Sequence, residues 1–146
     1  MTQLLTLNNI RQQIGRLWLT SEYTVNSDLM QKYAMAVGDN NSRWQGCNAV
    51  VPPAMLATLG FRGALSALLG LSATVLHGSS DFSLYLPVRI GDSVIVATKI
   101  ASLRERKHPA GSQAFITLQQ DYTNDRGEKV ACCKQLVVVR LGAANG

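Results

Sequence analysis

Apolar and polar positions along the chain fall into two regimes, helical before Leu76 and alternating after it. A short strand is predicted from Leu17 to Tyr23. Asn26 or Ser27 then reads as an N-cap, with Asp28 in the first turn and Gly38 just past the end, so a helix is expected through Val37. Met30, Tyr33, Ala34 and Val37 form its apolar face. A polar loop runs from Asp39 to Asn48, and Pro52-Pro53 opens the next helix where proline's missing N–H costs nothing. That second helix, roughly Ala54 to Leu69 with Gly70 as its stop, is apolar on nearly every side and has to be wrapped by other elements. After His77-Gly78 strands are expected over Asp81 to Leu86, Asp92 to Leu103, Ala114 to Asn124 and Lys129 to Arg140. The turn Asn124-Asp125-Arg126-Gly127 joins the last two as a hairpin. One strand, then helices, then a run of antiparallel strands gives an α+β fold, a curved sheet around a long apolar helix.

Composition narrows this picture. With 146 residues, 47% hydrophobic and 16% charged, the chain is core-rich and argues against disorder. It carries no repeat, linker or low-complexity stretch, so residues 1–146 are expected to form a single domain. The segment Ala54 to Leu76 holds one charge, Arg62, but three glycines interrupt it and no aromatic belt flanks it; a buried helix is expected there, not a membrane span. The N-terminus lacks the basic start and apolar run of a secretory signal. Cys47, Cys132 and Cys133 are too few and too badly spaced for a disulfide framework, which points to a reducing compartment, the cytoplasm. Two histidines 31 residues apart, with no Cys-x-x-Cys, exclude the usual zinc patterns, so neither metal nor cofactor is expected.

The net charge of +5 draws anions. Nucleic acid is disfavoured, because the basic residues are scattered and aromatics are 6% and not interleaved with them. No P-loop and no Gly-x-Ser-x-Gly elbow is present.

An antiparallel sheet curled around one apolar helix is the hot-dog architecture, and particular residues carry a resemblance within it. His77-Gly78-Ser79-Ser80-Asp81-Phe82, followed by Leu86-Pro87-Val88-Arg89-Ile90-Gly91-Asp92-Ser93-Val94, resembles the MaoC-like hydratase/dehydratase family. So do Tyr33-Ala34-Met35-Ala36-Val37-Gly38-Asp39-Asn40-Asn41, Pro52-Pro53-Ala54-Met55, and the hairpin around Tyr122-Thr123-Asn124 and Gly127-Glu128. The likeness spans about Gly15 to Arg140 and is greatest to the N-terminal, catalytically degenerate half of two-domain members. It implies binding of acyl thioesters of coenzyme A or acyl carrier protein, and addition of water to a trans-2-enoyl thioester or the reverse. That chemistry needs a carboxylate and an imidazole beside one water. In the family the pair is an Asp with a His five residues on. Here Asp39 matches the Asp and Asn41 the polar residue after it, but Trp44 stands at the His position. An indole N–H only donates, so the dyad cannot be carried over whole.

The remaining candidates each have two readings. Asp39 is a surviving acid/base or the closing residue of an Asx turn after Gly38. Trp44 lines an acyl channel or packs over the central helix. His77 is catalytic or a satisfied, buried histidine at a strand start, and Arg89 reaches a phosphate or pairs with Asp92. Arg104 and Arg106, in the run Arg104-Glu105-Arg106-Lys107-His108, receive coenzyme A phosphates or the acidic helix of a carrier protein, or are merely solvated. Of Cys132 and Cys133, which alternate faces, at least one should be buried, and neither looks like a nucleophile.

Three functions follow as expectations. The first is a non-catalytic or half-catalytic subunit of a dehydratase that shapes the acyl channel while a His-bearing hot-dog partner supplies the dyad. The second is a homodimeric hydratase or dehydratase of a 3-hydroxyacyl or polyketide-like thioester, using Asp39 with His77 or another residue. The third is a non-enzymatic acyl-thioester or small-ligand binder. Thioesterase chemistry ranks below these, since no carboxylate lies between Pro53 and Leu76. An open sheet edge predicts a homo- or heterodimer with acyl sites at the seam.

Overall fold

The computed structural model describes residues 6–39, 41, 49–68 and 74–142. In chain order these form α1 (Leu7–Gln12), β1 (Leu17–Thr24), α2 (Ser27–Val37), α3 (Pro53–Thr58), α4 (Phe61–Leu68), β2 (Thr74–Leu84), β3 (Ser93–His108), β4 (Gly111–Asn124) and β5 (Lys129–Gly142). The five strands make one antiparallel sheet in the order β1-β3-β4-β5-β2, so β1 and β2 are its edges. This is the α+β hot-dog layout the sequence predicts. Among the described residues no helix is long and apolar enough to cross a membrane.

Local chemistry explains each helix boundary. Asn26 caps α2 by accepting the N–H of Leu29 at 2.8 Å, and Gly38 ends it at φ +71°, a backbone region where glycine avoids the Cβ penalty. α1 was not anticipated from hydrophobic patterning; its start is a capping box in which the side chains of Thr6 and Asn9 each accept the other residue's backbone N–H.

Several expectations are corrected. The central helix is not continuous from Ala54 to Leu69, because Leu59 is extended and Gly60 sits at φ +83° between α3 and α4. A Cβ on Gly60 would come within 2.8 Å of Val96 Cγ1, so the chain there presses onto the sheet more closely than any side chain allows. In a single chain Ala54, Thr58, Arg62, Gly63 and Ser66 stay exposed, so the helix pair is covered on one side only. Val37 is 55% exposed and Met35 83%, so the apolar face of α2 narrows to Leu29, Met30 and Tyr33 against the core. β2 begins seven residues before Asp81, at Thr74, and carries His77 within it. β3 runs past Leu103 to His108, placing the whole Arg104–His108 run on a strand.

The core has two parts. One gathers Met30, Met55, Leu56, Val94, Val96, Tyr122 and Cys133 under α2 and α3. The other gathers Ile10, Ala64, Leu68, Ile100, Ile116, Leu118 and Val137 under α1 and α4. Between them, on the same inward-facing rows, lie buried Thr98, Gln120 and Gln135. The helix breaks where this polar band crosses the sheet.

Candidate functional site

Asp39 follows directly from the end of α2. Its backbone N–H donates to Ala34 O at 2.9 Å, and its Oδ1 accepts the N–H of Asn41 at 3.0 Å. The carboxylate therefore closes an Asx turn, the quieter of its two readings. Trp44 lies outside the described residues.

The Pro87–Asp92 turn explains why that run marks the fold. Asp92 Oδ2 accepts the backbone N–H of Arg89 at 2.9 Å, which fixes the turn. Val88 O then accepts from Val51 N at 2.7 Å, Ala49 O accepts from Ile90 N at 3.0 Å, and Val25 O accepts from Gly91 N at 2.7 Å. One turn thus ties the entry to α2 to the entry to α3, the two helices that bracket the Asp39 loop. Asp92 thus meets Arg89 at the backbone N–H and not through an Arg89 side-chain pair.

His77 is exposed, not buried, yet its ring is bound into a chain of side chains. Its Nε2 lies 2.9 Å from Ser80 Oγ and 2.9 Å from Gln135 Oε1, and its ring meets Phe61 edge-on with centroids 5.3 Å apart. Gln135 Nε2 donates to Ala57 O at 3.3 Å and to Gln120 Oε1 at 3.1 Å. Gln120 Nε2 donates to Thr98 Oγ1 at 3.3 Å, and Tyr122 donates its hydroxyl to Leu59 O at 3.1 Å. Tyr23 closes the set by accepting the N–H of Gly60 at 3.0 Å. The broken middle of the helix is therefore held by side chains from β1, β4 and β5.

The backbone carbonyl of Ala57 fixes the direction of this chain. A carbonyl only accepts, so the amide nitrogen of Gln135 faces it and Gln135 Oε1 faces His77 and Ser80. Ser80 donates to that oxygen at 2.8 Å, and His77 Nε2 has to carry a proton to sit beside it. The neutral ring then keeps its lone pair on Nδ1. Burial raises the Tyr122 hydroxyl far above its ordinary range, so it is a donor throughout the working pH range. No buried side-chain N or O among the described residues lacks a partner.

The thiols match their reading. Cys133 is fully buried and desolvation pushes it up to about 11; Cys132, half-buried, is also raised, first by desolvation and then by Asp121. Neither is a thiolate near neutrality.

Arg104 and Arg106 stand apart from these groups. They pair with Phe115 and Gln113 on the outer face of the sheet, whereas Leu103 and Glu105 face inward opposite Ile116 and Ala114. Glu105 pairs with Arg11 of α1 on that inner side. The structure therefore separates the site candidates into a turn at α2, a chain ending at His77, and an outer-face group. Asp39 and His77 are anchored in different parts of the core, His77 through Phe61 beside α4 and Asp39 through α2.

Sequence reading missed Gln120, Gln135, Ser80, Tyr122 and Thr98. A signal was present: Gln120 and Gln135 fall on the inward positions of otherwise apolar alternations, Ile116-Leu118-Gln120-Tyr122 and Cys133-Gln135-Val137. A glutamine at an inward position demands partners, and here it has them.

Residues 12–133 match the family described as "FAS1-like, dehydratase domain region". The chain belongs to that family. A UPF0336 protein of Parafrankia sp. is 28% identical, over 81% of this chain and 85% of its own length. Among solved structures, the HadBC (3R-hydroxyacyl-ACP dehydratase) complex of Mycobacterium tuberculosis is similar, with TM-score 0.72, 18% identity, and coverage of 86% of this chain and 96% of that one. The MaoC-like dehydratase of Rhodospirillum rubrum gives TM-score 0.66 at 20% identity, covering 89% and 94%. These likenesses show the fold, and the resemblance to MaoC-like proteins read from residues 77–94 is borne out. As a FAS1-like dehydratase-region chain, it places Asp39 in an Asx turn just after α2.

Proposed function

We propose that this chain is the acyl-thioester-binding subunit of a two-chain hydratase–dehydratase, with a His-bearing hot-dog partner supplying the Asp–His dyad. The observation that carries it is Asp39 accepting the Asn41 N–H in a loop where the sequence has Trp44 and no histidine. With Trp44 five residues on, the Asp39 loop has no imidazole to pair with the carboxylate on one water. The edge strand β2 supports a partner. Among the described residues no strand pairs its outer backbone row, and Leu76 and Leu84 on it and Tyr85 just after it are 44%, 42% and 55% exposed. The similar HadBC structure is itself a complex of two chains. In this reading Asn41 and Trp44 border the acyl-thioester site, and Arg89 acts through its turn.

Tagged protein purified from its native host tests the proposal by mass spectrometry. Recovery of a second hot-dog chain carrying Asp with a His five residues on is the expected result; recovery of this chain alone overturns it.

One observation favours a second reading, a homodimer working with Asp39 and His77. Gln135 leaves Nδ1 of neutral His77 as the free lone pair, the form a general base needs. Hydration of an enoyl thioester by the pure chain, lost in His77→Gln while folding persists, would support it.

A further inference from the structure

The two-chain reading gives His77 no task, but a bulge in the sheet aims it. Successive residues of a strand alternate sides, so His77 and Ser80, three apart, would ordinarily face opposite ways. The bulge at Gly78 puts both on the helix side: His77 pairs with Val137, Ser79 with Leu136 and Ser80 with Gln135. Val137 and Gln135 are both buried on the inward rows of β5. A Cβ at position 78 would lie 3.2 Å from Leu136 Cγ, Cδ2 and O, so glycine gives the bulge room against β5.

The side chains behind the bulge then fix where the ring carries its proton. Gln135 Oε1 only accepts, and Ser80 spends its hydroxyl proton on that oxygen at 2.8 Å. Both therefore present lone pairs to His77 Nε2, each at 2.9 Å, and Nε2 has to be the protonated nitrogen. Nδ1 of the neutral ring is left as a bare acceptor, and no hydrogen bond among the described residues reaches it. His77 is exposed on an edge strand, and Phe61 gives its ring an apolar neighbour. A fixed acceptor in that setting sorts ligands by their donors. An O–H binds it, whereas a carbonyl oxygen in the same place sets lone pair against lone pair.

We infer that His77 Nδ1 accepts the hydroxyl of a 3-hydroxyacyl thioester and so selects it over 3-ketoacyl and saturated chains. Under the acyl-thioester reading, on which this rests, the ligand alternates between a 3-hydroxyacyl and an enoyl form. Of the two, only the 3-hydroxyacyl form has an O–H on its acyl chain. His77 acts here by recognition: its proton stays on Nε2, and no transfer to or from the ligand is needed.

Calorimetric titration of the purified chain with 3-hydroxybutyryl-, acetoacetyl- and butyryl-coenzyme A is the test. The hydroxyl form should bind about fivefold more tightly than the other two, the scale of one hydrogen bond. His77→Gln keeps an amide able to donate to Gln135 Oε1 but loses Nδ1, and should bring the three to equal affinity. Ser80→Ala leaves Nε2 bonded to Gln135 and should retain the preference. Nitrogen NMR of His77 gives a readout that needs no variant. It should show a protonated Nε2 and a bare Nδ1, with the Nδ1 resonance moving on 3-hydroxybutyryl-coenzyme A and not on acetoacetyl-coenzyme A. Equal binding of the three thioesters, a preference that survives in His77→Gln, or a neutral ring protonated on Nδ1 each overturns the inference and leaves the acyl-thioester reading standing. Binding of none of the three overturns both.

Discussion

The Asp39 turn and the His77 chain, two candidate sites among the described residues, are built in opposite ways. Asp39 makes a local contact: the Asn41 N–H it accepts lies two residues away. His77 is satisfied at long range, through Ser80 and Gln135 to Gln120, Thr98 and the carbonyl of Ala57. A local turn can change without disturbing the sheet. A buried amide chain cannot, because each member removed leaves others unpaired in a low-dielectric interior. The Asp39 carboxylate closes a turn, and the His77 ring lies at one end of a side-chain network.

The sharpest way to break this contrast is to attack the brace at its centre. Gly60→Ala places a Cβ at 2.8 Å from Val96 Cγ1 and 3.1 Å from Gln120 Nε2 at a φ of +83°, so it should destabilise by about 2–4 kcal/mol in urea unfolding. A loss near zero would mean that the helix break is not held by the sheet. Gln135→Leu comes next. It strands Ala57 O and leaves Gln120 Oε1 with only the long bond from the Tyr122 hydroxyl, and should cost about 1–3 kcal/mol. Tyr122→Phe leaves only Leu59 O without its donor and should cost about 1 kcal/mol.

pH probes the same interior without mutation. The folded Cys133 thiol holds its proton up to about 11, while the unfolded thiol ionises from its ordinary value of 9.0. A raised folded pKa contributes stability that is complete below 9 and is lost as pH rises towards 11. The urea midpoint should fall across that window, and Cys133→Ala should flatten part of the slope. The smallest effect belongs to the turn. Asp39→Asn keeps an oxygen for the Asn41 N–H and should change stability by less than about 0.5 kcal/mol. It should also leave the activity of the two-chain enzyme within about twofold, whereas a catalytic carboxylate would cost about 100-fold or more.

Legibility in the sequence followed the range of the interactions. Asn26 and Gly38 bounded α2 correctly because a cap acts over three residues. The Asx reading of Asp39 held for the same reason. Gly60 looked like one glycine among several in an apolar run; what makes it a break is Val96 and Tyr23, far away in sequence. His77-Gly78 read as a boundary since polar residues fill an edge strand, where one side of the backbone has no neighbour. Gln120 and Gln135 were visible as polar residues on inward rows, but their partners appear only once the strands are in register.

The central claim is that this chain does not hydrate enoyl thioesters alone. Stopped-flow or steady-state absorbance of crotonyl-coenzyme A with the purified chain, and then with its His-bearing partner added, tests it most directly. The account predicts no turnover above buffer for the chain by itself and turnover in the mixture. Turnover by the pure chain that is abolished in Asp39→Asn or His77→Gln would contradict it.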